Sequence, residues 1–151
     1  MLFLRRLLAF LIIATVAFIF TQSMLPPERI EEESEAVVGA INGVISDDGV
    51  LADFAEENIS EIAHFAEFSL LGFLVSLYVC LYSKRRMLCA FISMLFASAT
   101  AYFDETIQIF SGRNYDVRDM QLDILGFSAA YCIIYILYSI IKKGKINGKN
   151  N

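Results

Sequence analysis

Residues Tyr102–Gly126 read YFDETIQIFSGRNYDVRDMQLDILG, and this stretch decides the fold because it joins two apolar segments through a dense group of polar side chains. Ionisable groups at membrane depth cost free energy unless they are paired or hydrated, so they mark functional sites by default. We therefore ask of each other segment whether its side chains face this polar group. Its members are Asp104, Glu105, Gln108, Arg113, Asp116, Asp119 and Asp123.

The composition indicates an integral membrane protein. Of the 151 residues, 57% are hydrophobic, and the mean hydropathy is +0.57, whereas a typical soluble domain has about 45–50% apolar residues. A helix needs about 20 apolar residues to cross the hydrocarbon core. The sequence therefore predicts an all-α, polytopic membrane fold in one domain, residues 1–151, with four spans at about 7–25, 62–82, 87–110 and 119–141.

Basic and acidic residues lie in different stretches of the chain, which the net charge of −5 does not reveal. Basic residues concentrate on the cytoplasmic side of membrane proteins. The pattern therefore predicts cytoplasmic N- and C-termini, and it places the Tyr102–Gly126 group at the outer surface. The basic residues that flank the spans are Arg5, Arg6, Lys84, Arg85, Arg86, Lys142, Lys143, Lys145 and Lys149.

The outer loop after the first span, residues 26–60, is strongly acidic. Its apolar residues between Ile30 and Ile45 recur mostly at helical spacing, which predicts an amphipathic helix after Pro26 and Pro27. Residues 46–49 predict a turn, and a second short apolar stripe follows. The loop is expected either to pack as a lid over the spans or to act as a gate or acidic guard over a site beneath it.

The second span is predicted to begin at about Ile59, after Asn58 as a helix cap. His64 and Glu67 are three residues apart and therefore share a face, which Gly72 extends inward. At about 1.5 Å per residue, His64 lies below the helix start, within the interfacial layer. The sequence leaves open whether this pair has a structural or a functional role.

The third span is rich in small residues, which permit close helix packing and predict a central position for it. Gly112 breaks this helix, and Asp116 is predicted to cap the fourth span. Asp119, Asp123 and Gly126 then share one helical face. The two carboxylates repel each other unless a cation, a proton or an arginine lies between them.

These residues resemble a known family. The order His64-Phe65-x-Glu67-Phe68-x-x-Leu71-Gly72, then Asp104-Glu105-x-x-Gln108-x-Phe110-x-Gly112-Arg113, then Asp119-x-x-x-Asp123-x-x-Gly126, is similar to the VanZ-like family of bacterial membrane proteins. The resemblance covers about residues 62–126 and the exit from the first span at Gln22-Ser23. It implies a four-span protein of the bacterial cytoplasmic membrane. It also implies a link to the cell envelope and to antibiotic resistance, because the family's founding member is associated with resistance to teicoplanin.

The chain departs from the family pattern at three positions. Glu61 stands where the family often has lysine, Phe68 stands where tyrosine is common, and Asp123 stands where asparagine is frequent. The changes at positions 61 and 123 make the site more acidic. They therefore favour a bound cation or a proton over a bound anion.

Three functions remain open at this stage. In the first, the outer polar pocket, with Arg113 at its mouth, binds membrane lipid, a lipid-linked cell-wall precursor or a lipoglycopeptide. In the second, a metal-dependent enzyme acts on a lipid phosphate. Its candidate ligands for Mg²⁺, Mn²⁺ or Zn²⁺ are His64, Glu67, Asp104, Glu105, Asp119 and Asp123.

In the third, the polar residues form a purely structural network. Arg113 then pairs with Asp104, Glu105 or Asp119, and His64 bonds Glu67 or Gln108. Nucleic-acid binding is excluded because basic residues cluster only at the cytoplasmic flanks. The three cysteines lie inside predicted spans, so they do not indicate a secreted disulfide framework.

Overall fold

A computed structural model describes residues 2–42 and 58–147, with the side chains of residues 2–40 and 58–143. These residues form helices and short connections, without a strand. The turn predicted at residues 46–49 and the apolar stripe after it lie outside the described residues. The helices are α1 (Leu2–Ser23), α2 (Pro27–Asn42), α3 (Ile59–Tyr82), α4 (Arg86–Phe110) and α5 (Val117–Asn147).

Four of these helices, α1, α3, α4 and α5, are long and apolar enough to cross a membrane. Their outward faces carry large exposed apolar side chains, which in water would form an unfavourable surface but in lipid are in their preferred solvent. The predicted all-helical fold with four spans is therefore confirmed. Examples of these exposed residues are Phe10, Phe18, Leu70, Phe91, Ile133 and Leu137.

Helix α2 follows the first span and confirms the predicted helix in the acidic loop. It begins at Pro27, a residue that is tolerated in the first turn because its missing N–H would have no helical partner there. The helix packs against α3. The Gln22 side-chain amide donates a hydrogen bond to Glu33 Oε2 at 3.3 Å, which connects the end of α1 to α2.

Helices α3 and α5 form the closest helix pair of the bundle. Two glycines permit this approach. A Cβ on Gly72 would lie 2.9 Å from Phe127 Cα, and a Cβ on Gly126 would lie 2.5 Å from the Phe65 carbonyl oxygen. Both neighbouring atoms belong to the backbone and cannot rotate away. Glycine is therefore required at both positions for the two helices to cross at this distance.

The core lies around this crossing. Phe68 and Leu71 from α3 pack with Phe127 from α5, and Ile19 from α1 and Ala97 from α4 complete the cluster. The central position predicted for the third span is wrong, because α3 contacts all four other helices and is the most buried span. Among the small residues of α4, Ala97 and Ala101 are fully buried.

The two ends of the bundle differ in charge. At one end, Arg5 Nε donates a hydrogen bond to Tyr78 Oη at 3.0 Å, and Arg86 lies over the Tyr138 ring with its Cζ 4.6 Å from the centroid. The polar residues of the Tyr102–Gly126 group lie toward the other end, where α1 ends at Ser23. The ends of α1 are about 33 Å apart at about 1.5 Å per residue, close to the thickness of the hydrocarbon core.

The turn between α4 and α5 is tight. Gly112 has a φ of 82°, a conformation that costs L-residues with a side chain about 1–2 kcal/mol. The Arg113 N–H donates a hydrogen bond to the Gln108 carbonyl at 3.0 Å, which closes the end of α4. Asp116 caps α5 as predicted, because its Oδ1 accepts a hydrogen bond from the Arg118 N–H at 2.8 Å.

Candidate functional site

Four helix ends bring polar side chains together in the described part of the chain. Ser23 is at the end of α1, His64 is near the start of α3, Asp104 is near the end of α4, and Asp123 is near the start of α5. All four are buried. Because antiparallel neighbours alternate direction, residues that are far apart in the sequence meet at one end of the bundle.

His64 lies at the centre of this group. Its Nδ1 is 3.2 Å from Asp123 Oδ1 and 3.6 Å from Asp104 Oδ2. Its Nε2 is 3.8 Å from Asp119 Oδ2. Both ring nitrogens therefore face carboxylates from other helices. Glu67, the expected partner on the same helix, makes no hydrogen bond with the imidazole.

The Asp104 carboxylate is held from two sides. The Ser23 hydroxyl hydrogen-bonds to Oδ1, and the Gln108 side-chain amide donates to Oδ2 at 3.0 Å. The first contact joins α1 to α4, and the second fixes the carboxylate on its own helix. Asp104 therefore has a defined orientation toward His64.

Glu105 connects the site to the α4–α5 turn. Its Oε1 accepts a hydrogen bond from the Gln108 side-chain amide at 3.2 Å, and its Oε2 accepts one from the Asp116 N–H at 3.0 Å. Both oxygens of this fully buried side chain are thus satisfied by protein donors. This geometry is typical of a structural carboxylate.

A cavity of about 290 Å³ opens beside this group. His64 and Asp104 form part of its polar lining, together with Glu67 and Arg113. The remaining wall is mostly apolar and comes from α1, α2 and α3. Its apolar residues are Ile19, Ile30, Val37, Ile59, Ile62, Ala63 and Ala66.

Arg113 lines this cavity without a salt bridge, since none of the described carboxylates lies within 4.0 Å of its guanidinium. The pairing of Arg113 with Asp104, Glu105 or Asp119 that a structural network would require is therefore not formed. A half-buried guanidinium that is not paired with a described carboxylate is suited to a planar anionic group such as a carboxylate or a phosphate.

A family model described as VanZ/LLP1 matches residues 8–138. The chain belongs to the VanZ/LLP1 family. The match covers most of the chain, including all of the second and third spans and most of the first and fourth, and it confirms the resemblance seen in the sequence. Comparison with curated proteins and with solved structures gave no match. The family name fits antibiotic resistance in general terms.

The residues predicted for the site take four different positions in this VanZ/LLP1 member. His64, Glu67, Asp104 and Arg113 line the cavity. Glu105, Gln108 and Asp123 lie beneath it, fully or almost fully buried. Asp119 is half-buried beside His64, whereas Asp116 is exposed and acts as the helix cap.

Sequence reasoning did not assign a site role to several residues that line the VanZ/LLP1 cavity. Ser23 was noticed only as part of the polar exit from the first span, although it bonds directly to Asp104. The pattern of α2 predicts a lid, gate or guard above a site, which does not indicate that its side chains form part of the cavity wall. The missed lining residues with polar side chains are Gln22, Ser23, Glu33, Ser34 and Ser60.

Two sets of three side chains in this VanZ/LLP1 site bring one possible ligand atom each within 4.8 Å of one another. His64, Asp104 and Asp123 form the first set, and all three are buried. His64, Glu105 and Asp119 form the second. Imidazole nitrogen and carboxylate oxygen are ligands for divalent cations, so both sets are candidate metal sites by donor type.

Proposed function

We propose that this protein binds a cell-envelope amphiphile in the cavity next to His64 and Arg113. The amphiphile is a lipid-linked cell-wall precursor or the lipophilic part of a glycopeptide-type antibiotic. The precursor carries a phosphate next to its apolar chain, and the antibiotic carries a fatty-acyl chain. Occupation of the cavity would link the protein to glycopeptide resistance, in keeping with its VanZ/LLP1 family.

The observation that carries this proposal is a cavity with an apolar wall and a guanidinium that forms no salt bridge with the described residues. Ile19, Ile30 and Ile62 belong to three different helices and line the same space. An apolar lining with a few fixed polar groups is typical of small-molecule sites. An acyl or prenyl chain fits the apolar wall, and the phosphate of a lipid-linked precursor fits Arg113.

The size of the cavity limits what enters it. A volume of about 290 Å³ is at the lower end of the range for drug-sized ligands, about 300–1,000 Å³. It holds a head group and a short apolar segment, but not an entire glycopeptide. An antibiotic would therefore insert its lipid tail, while its peptide core stays outside.

We further propose that the cavity faces the outside of the cytoplasmic membrane, where cell-wall precursors are used. The basic residues near Arg5 and Arg86 lie at the opposite end of the bundle. By the positive-inside rule that end is cytoplasmic, with both termini. Accessibility labelling of single cysteines introduced at Ser60 and at Lys84 of the cysteine-free protein tests this orientation in intact cells.

Arg113→Ala should weaken binding of undecaprenyl phosphate by at least about tenfold, because a charge-assisted pair is lost from a partly desolvated site. Arg113→Lys should give an intermediate affinity, since an ammonium group keeps the charge but not the planar fork. Native mass spectrometry of the detergent-solubilised protein, titrated with undecaprenyl phosphate, measures this. Teicoplanin added as a competitor shows whether the antibiotic uses the same cavity.

Arg118→Ala is the matched control, because Arg118 is also an arginine of the outer region but is exposed and does not line the cavity. Its affinity for undecaprenyl phosphate should equal that of the unmodified protein. Unchanged affinity in Arg113→Ala, or equal losses in both variants, would contradict the assigned role of Arg113.

A further inference from the structure

The buried group formed by His64, Asp104 and Asp123 has the separations of ligands around a metal ion. Ligand atoms that lie about 2.0–2.2 Å from a metal are about 2.8–3.6 Å apart at octahedral or tetrahedral angles. His64 Nδ1 is 3.2 Å from Asp123 Oδ1 and 3.6 Å from Asp104 Oδ2. The three side chains therefore need little movement to hold one ion between them.

A second observation points to a ligand at this place. Asp123 is fully buried, and its Oδ2 has no hydrogen-bond partner among the described residues. The other oxygen of this carboxylate, Oδ1, is 3.2 Å from His64 Nδ1, so the unpartnered Oδ2 is part of the group formed by His64, Asp104 and Asp123. A buried carboxylate oxygen without a donor is costly, and a bound cation would satisfy it.

From this geometry we propose that His64, Asp104 and Asp123 bind a divalent first-row cation, Zn²⁺ or Mn²⁺, in the floor of the cavity. The imidazole disfavours Mg²⁺ and Ca²⁺, which prefer oxygen ligands only. Two carboxylates balance the charge of a divalent ion. The site needs no amphiphile to form and so goes beyond the function proposed above.

Hydrogen bonds from neighbouring residues support Asp104, one of the three proposed ligands. The Ser23 hydroxyl and the Gln108 amide both bond to the Asp104 carboxylate. Hydrogen bonds to a metal ligand from residues that do not bind the metal orient that ligand, and they are a regular part of metal sites. Because His64 and Asp104 also line the cavity, an ion bound between them would have a path from solvent.

The competing set, His64 with Glu105 and Asp119, is less suited to a metal. Both Glu105 oxygens already accept hydrogen bonds from Gln108 and from the Asp116 N–H. Asp119 is only half-buried, and its Oδ2 is 3.8 Å from His64 Nε2. We therefore assign the ion to the fully buried set.

Metal titration of the purified, chelator-treated protein tests the assignment. Electron paramagnetic resonance counts free Mn²⁺, and calorimetry measures Zn²⁺ binding. We expect one ion per chain, and Asp123→Asn should weaken its binding by at least about tenfold, since the amide removes one anionic ligand. Asp116→Asn is the matched control, because this residue is exposed and asparagine caps a helix as well as aspartate does.

Circular dichroism and gel filtration verify that each variant is folded, and Asp104→Asn replaces Asp123→Asn if the latter is not. Absence of stoichiometric binding in the unmodified protein would overturn the proposal. Binding that survives Asp123→Asn and Asp104→Asn but is lost in Asp119→Asn would also overturn it, in favour of the competing set. Arg113→Ala should retain the metal, so failure of the amphiphile proposal and failure of this one give different results.

Discussion

Gly126→Ala should lower the free energy of unfolding by about 2–3 kcal/mol, because overpacking a close helix contact forces the backbone to move. The new Cβ would lie 2.5 Å from the Phe65 carbonyl oxygen and 3.0 Å from the Ser69 hydroxyl. The hydroxyl can rotate, but the carbonyl cannot. Titration with sodium dodecyl sulfate in mixed micelles, followed by circular dichroism, measures the change.

Gly39→Ala is the matched control, since Gly39 lies within α2 and a Cβ there would meet no heavy atom within 4 Å. This variant should be as stable as the unmodified protein, or more stable by up to about 1 kcal/mol through helix propensity. If Gly126→Ala unfolds at the same detergent fraction as Gly39→Ala, the close α3–α5 crossing is not as described.

The same variant should also disturb the site. Asp123 lies one helical turn before Gly126 on α5, and His64 lies directly before Phe65 on α3. An alanine that moves the two helices apart at Gly126 therefore increases the distance between His64 and Asp123. We expect Gly126→Ala to weaken the proposed metal binding while Gly39→Ala does not.

Glu105→Ala should cost about 3 kcal/mol of unfolding free energy, because the loss of a buried acceptor leaves its donors unsatisfied and a void behind. The variant removes the acceptors of the Gln108 amide and of the Asp116 N–H. The second of these contacts holds the turn between α4 and α5. The same detergent titration measures the effect.

Glu105→Gln keeps one acceptor oxygen and should have an intermediate stability. Glu35→Ala is the matched control, because Glu35 is an exposed glutamate on α2. Equal stabilities of Glu105→Ala and Glu35→Ala would show that Glu105 does not hold the turn. Together with Asp123→Asn, this series separates a carboxylate that supports the fold from one that binds a ligand.

Periodicity and charge alone predicted the four spans, the helix in the acidic loop and the Asp116 cap. These features depend on local properties: the length of apolar segments, the spacing of apolar residues and the hydrogen bond of a side chain to its own helix end. The central position of the third span was mispredicted because small residues show that a helix has close neighbours, but not how many.

The sequence by itself also pointed to most of the charged residues that meet at this end of the bundle, because charges are costly between apolar spans. It gave no site role to Ser23, which bonds to Asp104. The partners of each residue were decided only by the tertiary structure. Helical spacing pointed to Glu67 as the partner of His64, but the imidazole faces Asp123 and Asp104. The reason is the backbone contact between Gly126 and Phe65, which brings α5 close enough for Asp123 to reach His64, and spacing within one helix contains no information about that distance.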